Sequence, residues 1–163
     1  MKIASLGRCL VASVFVLAAA IQAQTPAPSA TAKSCPWLTE GSAARVLGAP
    51  VSVSVNVSDA GEGSCMFSLK QGSGGTIKIE VSKSALLSCG KDGTAMIGVG
   101  NEATRCKLPG SSDPNAELVS GRVRSMHFNI VVHANGKTGS TSSSDAHDDD
   151  LQKTAESVAG NLY

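Results

Sequence analysis

From Val51 to Val57, valine alternates without a break with serine or asparagine: Val51, Val53, Val55 and Val57 against Ser52, Ser54 and Asn56. A period of two puts the valines on one side of an extended chain and the polar residues on the other. The segment therefore predicts a strand with one buried face. The pattern recurs at Cys65, Phe67 and Leu69 against Met66, Ser68 and Lys70, and at Ile77, Ile79 and Val81 against Lys78, Glu80 and Ser82. Glycine-rich stretches at 59–64 and 71–75 separate the three. Together they predict an antiparallel meander with one wet face.

Further along, Ala103–Leu108 predicts a fourth strand. Glu117–Val119 and Val123–His133 predict a hairpin closing near Ser120–Arg122. In its second arm, Met126, Phe128, Ile130 and Val132 share one face, and Ser125, His127, Asn129 and Val131 the other. Lys83–Gly93 keeps no clean period. Ser84–Cys89 fits a helical turn or two, Thr94–Val99 is apolar enough to approach the sheet, and Pro109–Asn115 is a turn-rich loop.

Helical spacing appears at the two ends of this region. Leu38–Gly48 places Ala43, Val46 and Leu47 on one face. Thr39 is its candidate N-cap, Glu40 lies in the first turn, Gly48 suits the left-handed C′ position, and Pro50 blocks continuation. Asp145–Tyr163 carries Leu151, Ala155, Val158, Ala159 and Leu162 at helical spacing, with Asp148, Asp149 and Asp150 in or just before the first turn. Asn135–Ser144, rich in Gly, Ser and Thr, predicts a mobile connection. The expected fold class is α+β: an antiparallel β-sheet of about five to six strands with N-terminal and C-terminal helices packed on one face.

The N-terminus predicts a compartment. Lys2 and Arg8 precede an apolar stretch, Cys9–Ala20, which is shorter than the ~20 residues a spanning helix needs. Small residues follow at Ala18, Ala19, Ala20 and Ala23, so 1–23 reads as a signal peptide cleaved after Ala23, with Ala20 the rival site. Cys9 precedes the apolar core, the wrong place for a lipid-modified cysteine. The expected organisation is 1–23 signal peptide, 24–34 flexible linker and 35–163 a single α+β domain. The expected location is secreted or periplasmic, with no stable membrane insertion after signal cleavage.

Composition narrows the function. The 163 residues carry a formal net charge of +1, and loss of Lys2 and Arg8 with the leader makes the remainder slightly negative. With no basic run and only 3% aromatic residues, the chain lacks the cationic and stacking surface that nucleic acid demands. Cys35, Cys65, Cys89 and Cys106 remain after the leader, an even number that implies two disulfides with three possible connectivities. No C-x-x-C spacing argues for zinc.

The remaining candidate chemistry is sparse. Gly98-Val99-Gly100-Asn101-Glu102-Ala103 has the form of a dinucleotide-binding turn. A strand with Pro109 after it follows where a long helix is required, so a tight turn is the better reading. His127 and His133 share a strand face but stand too far apart for one ion. His147 beside Asp148–Asp150 could hold a divalent cation weakly, and a solvated helix start is the simpler reading. Asn56-Val57-Ser58 is a glycosylation sequon only in form, because the alanine-rich leader looks bacterial. No G-x-S-x-G, Walker or H-E-x-x-H motif occurs. The expectation is no catalytic, cofactor-binding or metal-binding residues and no cofactor.

Cys35-Pro36-Trp37-Leu38-Thr39, followed by Ala44-Arg45-Val46-Leu47-Gly48, resembles the opening of small exported bacterial proteins, among them actinobacterial lipoproteins and extracellular sensor modules of receptor kinases. Cys65-Met66-Phe67, the turn Gly98–Ala103 and a C-terminal helix extend the likeness over most of residues 35–163. The resemblance implies a PsbP-like fold, a Cys35–Cys65 disulfide and no catalytic residues. Cys89 and Cys106 lie outside the shared pattern and are expected to pair with each other. The expected function is an exported non-catalytic binding or accessory module of the cell envelope, its partner an envelope protein or small ligand. The alternatives are an exported hydrolase or an inhibitor of a secreted enzyme.

Overall fold

The alternating segments pair into one antiparallel sheet. In a computed structural model, which describes residues 34–72, 74–133 and 144–163, the strands are β1 (Val51–Val57), β2 (Gly63–Leu69), β3 (Thr76–Ser82), β4 (Thr94–Ala95), β5 (Glu102–Lys107), β6 (Ala116–Val123) and β7 (Met126–His133). Their order across the sheet is β1-β2-β3-β7-β6-β5-β4, every neighbour antiparallel. Two meanders, β1–β3 and β4–β7, thus join edge to edge at β3 and β7. The α+β class holds, with seven strands where five to six were expected. The extra one, β4, is only two residues long and has no alternation of its own to betray it.

Two helices complete the fold. The first, α1 (Glu40–Leu47), begins as its cap dictates: Thr39 Oγ1 accepts the Ser42 backbone N–H at 3.1 Å. It ends where Gly48 adopts φ 74°, the left-handed conformation glycine adopts without strain. Ala43, Val46 and Leu47 are buried, and α1 packs on β1, β2 and β3. The second, α2 (Ser144–Gly160), packs on α1 and β6. Its stripe of Leu151, Ala155, Val158 and Ala159 is buried, with Leu162 packed at the margin. Asn161 Nδ2 donates to the Trp37 carbonyl at 3.1 Å, tying the end of α2 to the segment before α1.

Strand register assigns the two faces. Val55, Cys65, Ile79, Ile130 and Val119 form one continuous row, and Phe67, Ile77 and Val132 lie beside it. This helix-covered face holds the core. The far face carries Ser52, Ser54, Met66, Lys78, Glu80, His127, Asn129, Ser120 and Thr104, as alternation requires.

The hairpin between β6 and β7 differs from expectation. β6 runs through Ser120–Arg122 to Val123, and the turn lies at Arg124–Ser125. Gly121 looked like a turn residue, but it sits within the strand for lack of space. A Cβ there would lie 2.4 Å from Phe128 Cζ and 2.9 Å from the Glu102 carbonyl. The turn instead uses Arg124 at φ 54°, whose N–H donates to Asn101 Oδ1 at 2.6 Å. Gly98–Ala103 is a turn leading into β5, not a helix start, with Gly98 and Gly100 at positive φ.

Both disulfides form between the cysteines the resemblance and its remainder imply. Cys35–Cys65 spans 30 residues and anchors the chain before α1 to β2, on the core side. Cys89–Cys106 spans 17 residues and lies on the far face, since Cys106 pairs in register with Leu118. Such bonds persist in oxidising compartments. The segments expected to be signal peptide and linker, through Lys33, and most of the Asn135–Ser144 connection lie outside the described residues. Among the described residues no helix is long and apolar enough to cross a membrane.

Candidate functional site

The chain leaving β3 must travel from the middle of the sheet to its edge at β4. Residues 83–93 make that crossing over the far face. They form no helix beyond a single 3-10 turn at Gly90–Asp92, which corrects the helical reading of Ser84–Cys89. The segment has no periodicity because it is held from outside. The Cys89–Cys106 bond staples it to β5, and Cys89 Sγ lies 3.7 Å from the carbonyls of Thr104 and Leu118. Beneath it Leu118, on the far face, is fully buried.

Nearer β3 a cleft of about 360 Å³ remains open, with Ala85, Leu86 and Ser88 of the crossing segment on one side. Glu102, Thr104, Ser120, Arg122 and His127, from β5, β6 and β7, line the other. Register brings these together: Glu102, Arg122 and His127 form one row across three strands, and Thr104 and Ser120 form the next. Arg122 is held from two sides. Its Nε donates to Glu102 Oε1 at 2.7 Å and its terminal nitrogen to the Arg124 carbonyl at 3.1 Å. The hydrogen bond from Arg122, and then its charge, keep the Glu102 carboxyl below the usual range. The floor thus offers a positioned ion pair, an imidazole and two hydroxyls against an apolar wall.

Asn129 adjoins the cleft floor, opposite Ser120 on β6 and Glu80 on β3. It is only 4% exposed, and its Oδ1 is a buried acceptor without a hydrogen-bond partner. Buried amide oxygens are ordinarily satisfied.

The other sequence candidates are distributed elsewhere. His133 Nδ1 lies 3.1 Å from Asp113 Oδ2, tying the 109–115 loop to the end of β7. The Asp113 carboxyl is held low by the Asn115 backbone N–H first and by His133 next. Helix α2 starts at Ser144, so Asp148–Asp150 lie in its second turn, past the position expected for them. Nor is this turn simply solvated. His147 Nε2 meets Glu117 Oε2 at 3.2 Å, and Asp148 Oδ1 meets Arg105 at 2.7 Å. These pairs clamp α2 to β5 and β6. Among the described residues no group of three or more His, Cys, Asp or Glu side chains could hold a metal ion.

The clamp is pH-sensitive. The hydrogen bond with Glu117 raises the His147 pKa above 6.5, and the same bond lowers Glu117 below 4.5. The Arg105 hydrogen bond lowers Asp148. The histidine contribution is complete below pH 6.5 and is lost as pH rises through its raised folded value. The carboxylate contributions are present above their unfolded values and are lost as pH falls through the lowered folded ones. Thermal stability is therefore expected to peak between about pH 4.5 and 6.5 and to decline on the alkaline side. His147→Asn should flatten that alkaline decline. Parallel melting profiles for the two proteins would contradict the clamp.

Comparison with protein-family models, curated proteins and solved structures returned no match to this chain.

Proposed function

We propose that this protein is an exported, non-catalytic binding module of the cell envelope, and that its ligand site is the cleft under the crossing segment. One observation carries the reading: a disulfide-stapled segment holds a 360 Å³ cleft over a polar, side-chain-rich sheet face. That volume lies within the range of small-molecule sites, at its lower end. Its lining suits a small organic ligand with hydrogen-bonding groups on one side and an apolar flank. Arg122 and Glu102, His127 and Ser120 would orient the polar side, and Ala85 and Leu86 would cover the other.

The reading favours binding over catalysis because no activated nucleophile is found among the described residues. All four described cysteines are disulfide-bonded, and among the described residues no serine or threonine hydroxyl is hydrogen-bonded to a histidine. The leader and the disulfides support export.

Native mass spectrometry after incubation with an envelope extract tests the proposal. A bound small-molecule mass is expected on the native protein. Ser120→Trp, which fills the cleft, should abolish it, and Lys153→Ala, on the exposed side of α2, should retain it. Equal capture by all three proteins would reject the cleft as the site.

A further inference from the structure

The two edges of the sheet are unequal. β4 ends it with two residues, whereas β1 ends it with seven. Long edges are ordinarily protected by charge, proline or a bulge, because their free main-chain groups accept another strand. β1 has none of these. Its sequence is Val-Ser-Val-Ser-Val-Asn-Val, and its register with β2 is unbroken from Val51–Leu69 to Val57–Gly63.

Hydrogen bonds at its two ends show which groups face outward. The Lys70 N–H donates to the Pro50 carbonyl at 2.9 Å, and the Ser58 N–H to the Glu62 carbonyl at 2.8 Å. Antiparallel bonding alternates along a strand, so the even-numbered residues address β2. Val51, Val53, Val55 and Val57 therefore turn their N–H and C=O groups to the edge, where no described strand pairs with them.

We infer that β1 is a self-association edge, pairing antiparallel with β1 of a second copy to continue the sheet through a two-fold axis at Ser54. The odd-to-odd register sets Val51 opposite Val57 of the second copy and Val53 opposite its Val55. Every outward main-chain group on both strands then has a partner. The same register keeps the faces matched. Valines meet valines on the helix side, where Val53 and Val57 are only half-buried, and Ser52 meets Asn56 of the second copy on the wet side. This strand lies at the opposite side of the sheet from the proposed ligand cleft, and the inference does not depend on that cleft.

Ser54 is exposed and meets itself on the axis, with side chains about 4.5–5.5 Å apart in a non-hydrogen-bonded pair. Sedimentation velocity over a concentration series of the oxidised protein should show a reversible dimer. Ser54→Lys and Ser54→Glu should each raise the dimer Kd by at least about tenfold through like-charge opposition, with unchanged melting of the monomer. An equimolar mixture of the two variants should recover the dimer as a heterodimer. A wild-type protein that stays monomeric throughout would overturn the inference. So would a dimer that Ser54→Lys leaves intact, or variants that fail to recover on mixing.

Discussion

Leu151→Ala will lower the stability of the protein by about 2–5 kcal/mol, the usual cost of emptying a fully buried leucine site. Leu151 is completely buried between α2 and the elements beneath it, with Ala155, Val158 and Ala159 in the same stripe. Small neighbours such as these alanines cannot fill the space it would leave. Lys153 is exposed on the same helix, so Lys153→Ala should change stability by less than about 0.5 kcal/mol. Chemical denaturation of the three proteins checks the contrast. Equal, small effects would mean that α2 is held by its ion pairs alone.

Removing the Cys35–Cys65 bond as a double alanine variant should cost about 3 kcal/mol or somewhat more, from the entropy that a 30-residue closure withdraws from the unfolded chain. The effect has a structural component as well. Cys65 is fully buried, and Cys35 belongs to the core cluster with Trp37 and Leu38. Loss of the bond frees the segment that leads into α1. A denaturation midpoint unchanged from wild type would show that α1 and Trp37 hold this corner without the cross-link.

The sequence made most of the sheet legible because one face is buried and the other wet. β1 was readable residue by residue, and β3 and the core side of β7 followed the same rule. Helix α1 was readable from Thr39 and Gly48, whose conformations match their roles as caps. What escaped was determined by contacts distant in sequence. Gly121 is a glycine because Phe128 leaves no room, a cause that local pattern cannot distinguish from a turn. The misplaced turn took Ser120 and Arg122 out of the strand, and with them the floor of the cleft.

The crossing segment was opaque for a related reason. Its conformation comes from Cys89–Cys106 and the sheet below it, so its own residues carry no period. His127, which stands too far from His133 to share an ion with it, lies in a row with Arg122 and Glu102 that only the strand register reveals. His147 and Asp148 looked like a solvated helix start because their partners, Glu117 and Arg105, arrive from strands far back in the chain.

The cleft under the crossing segment is the proposed ligand site of this protein. Hydrogen exchange of the protein loaded from envelope extract, compared with the free protein, tests it most directly. Added protection is predicted at Ala85–Ser88, at Ser120–Arg122 and at His127, and it should vanish in Ser120→Trp. Protection confined to α2 or to the β1 edge, or none at all on a protein that carries bound ligand, would contradict the account.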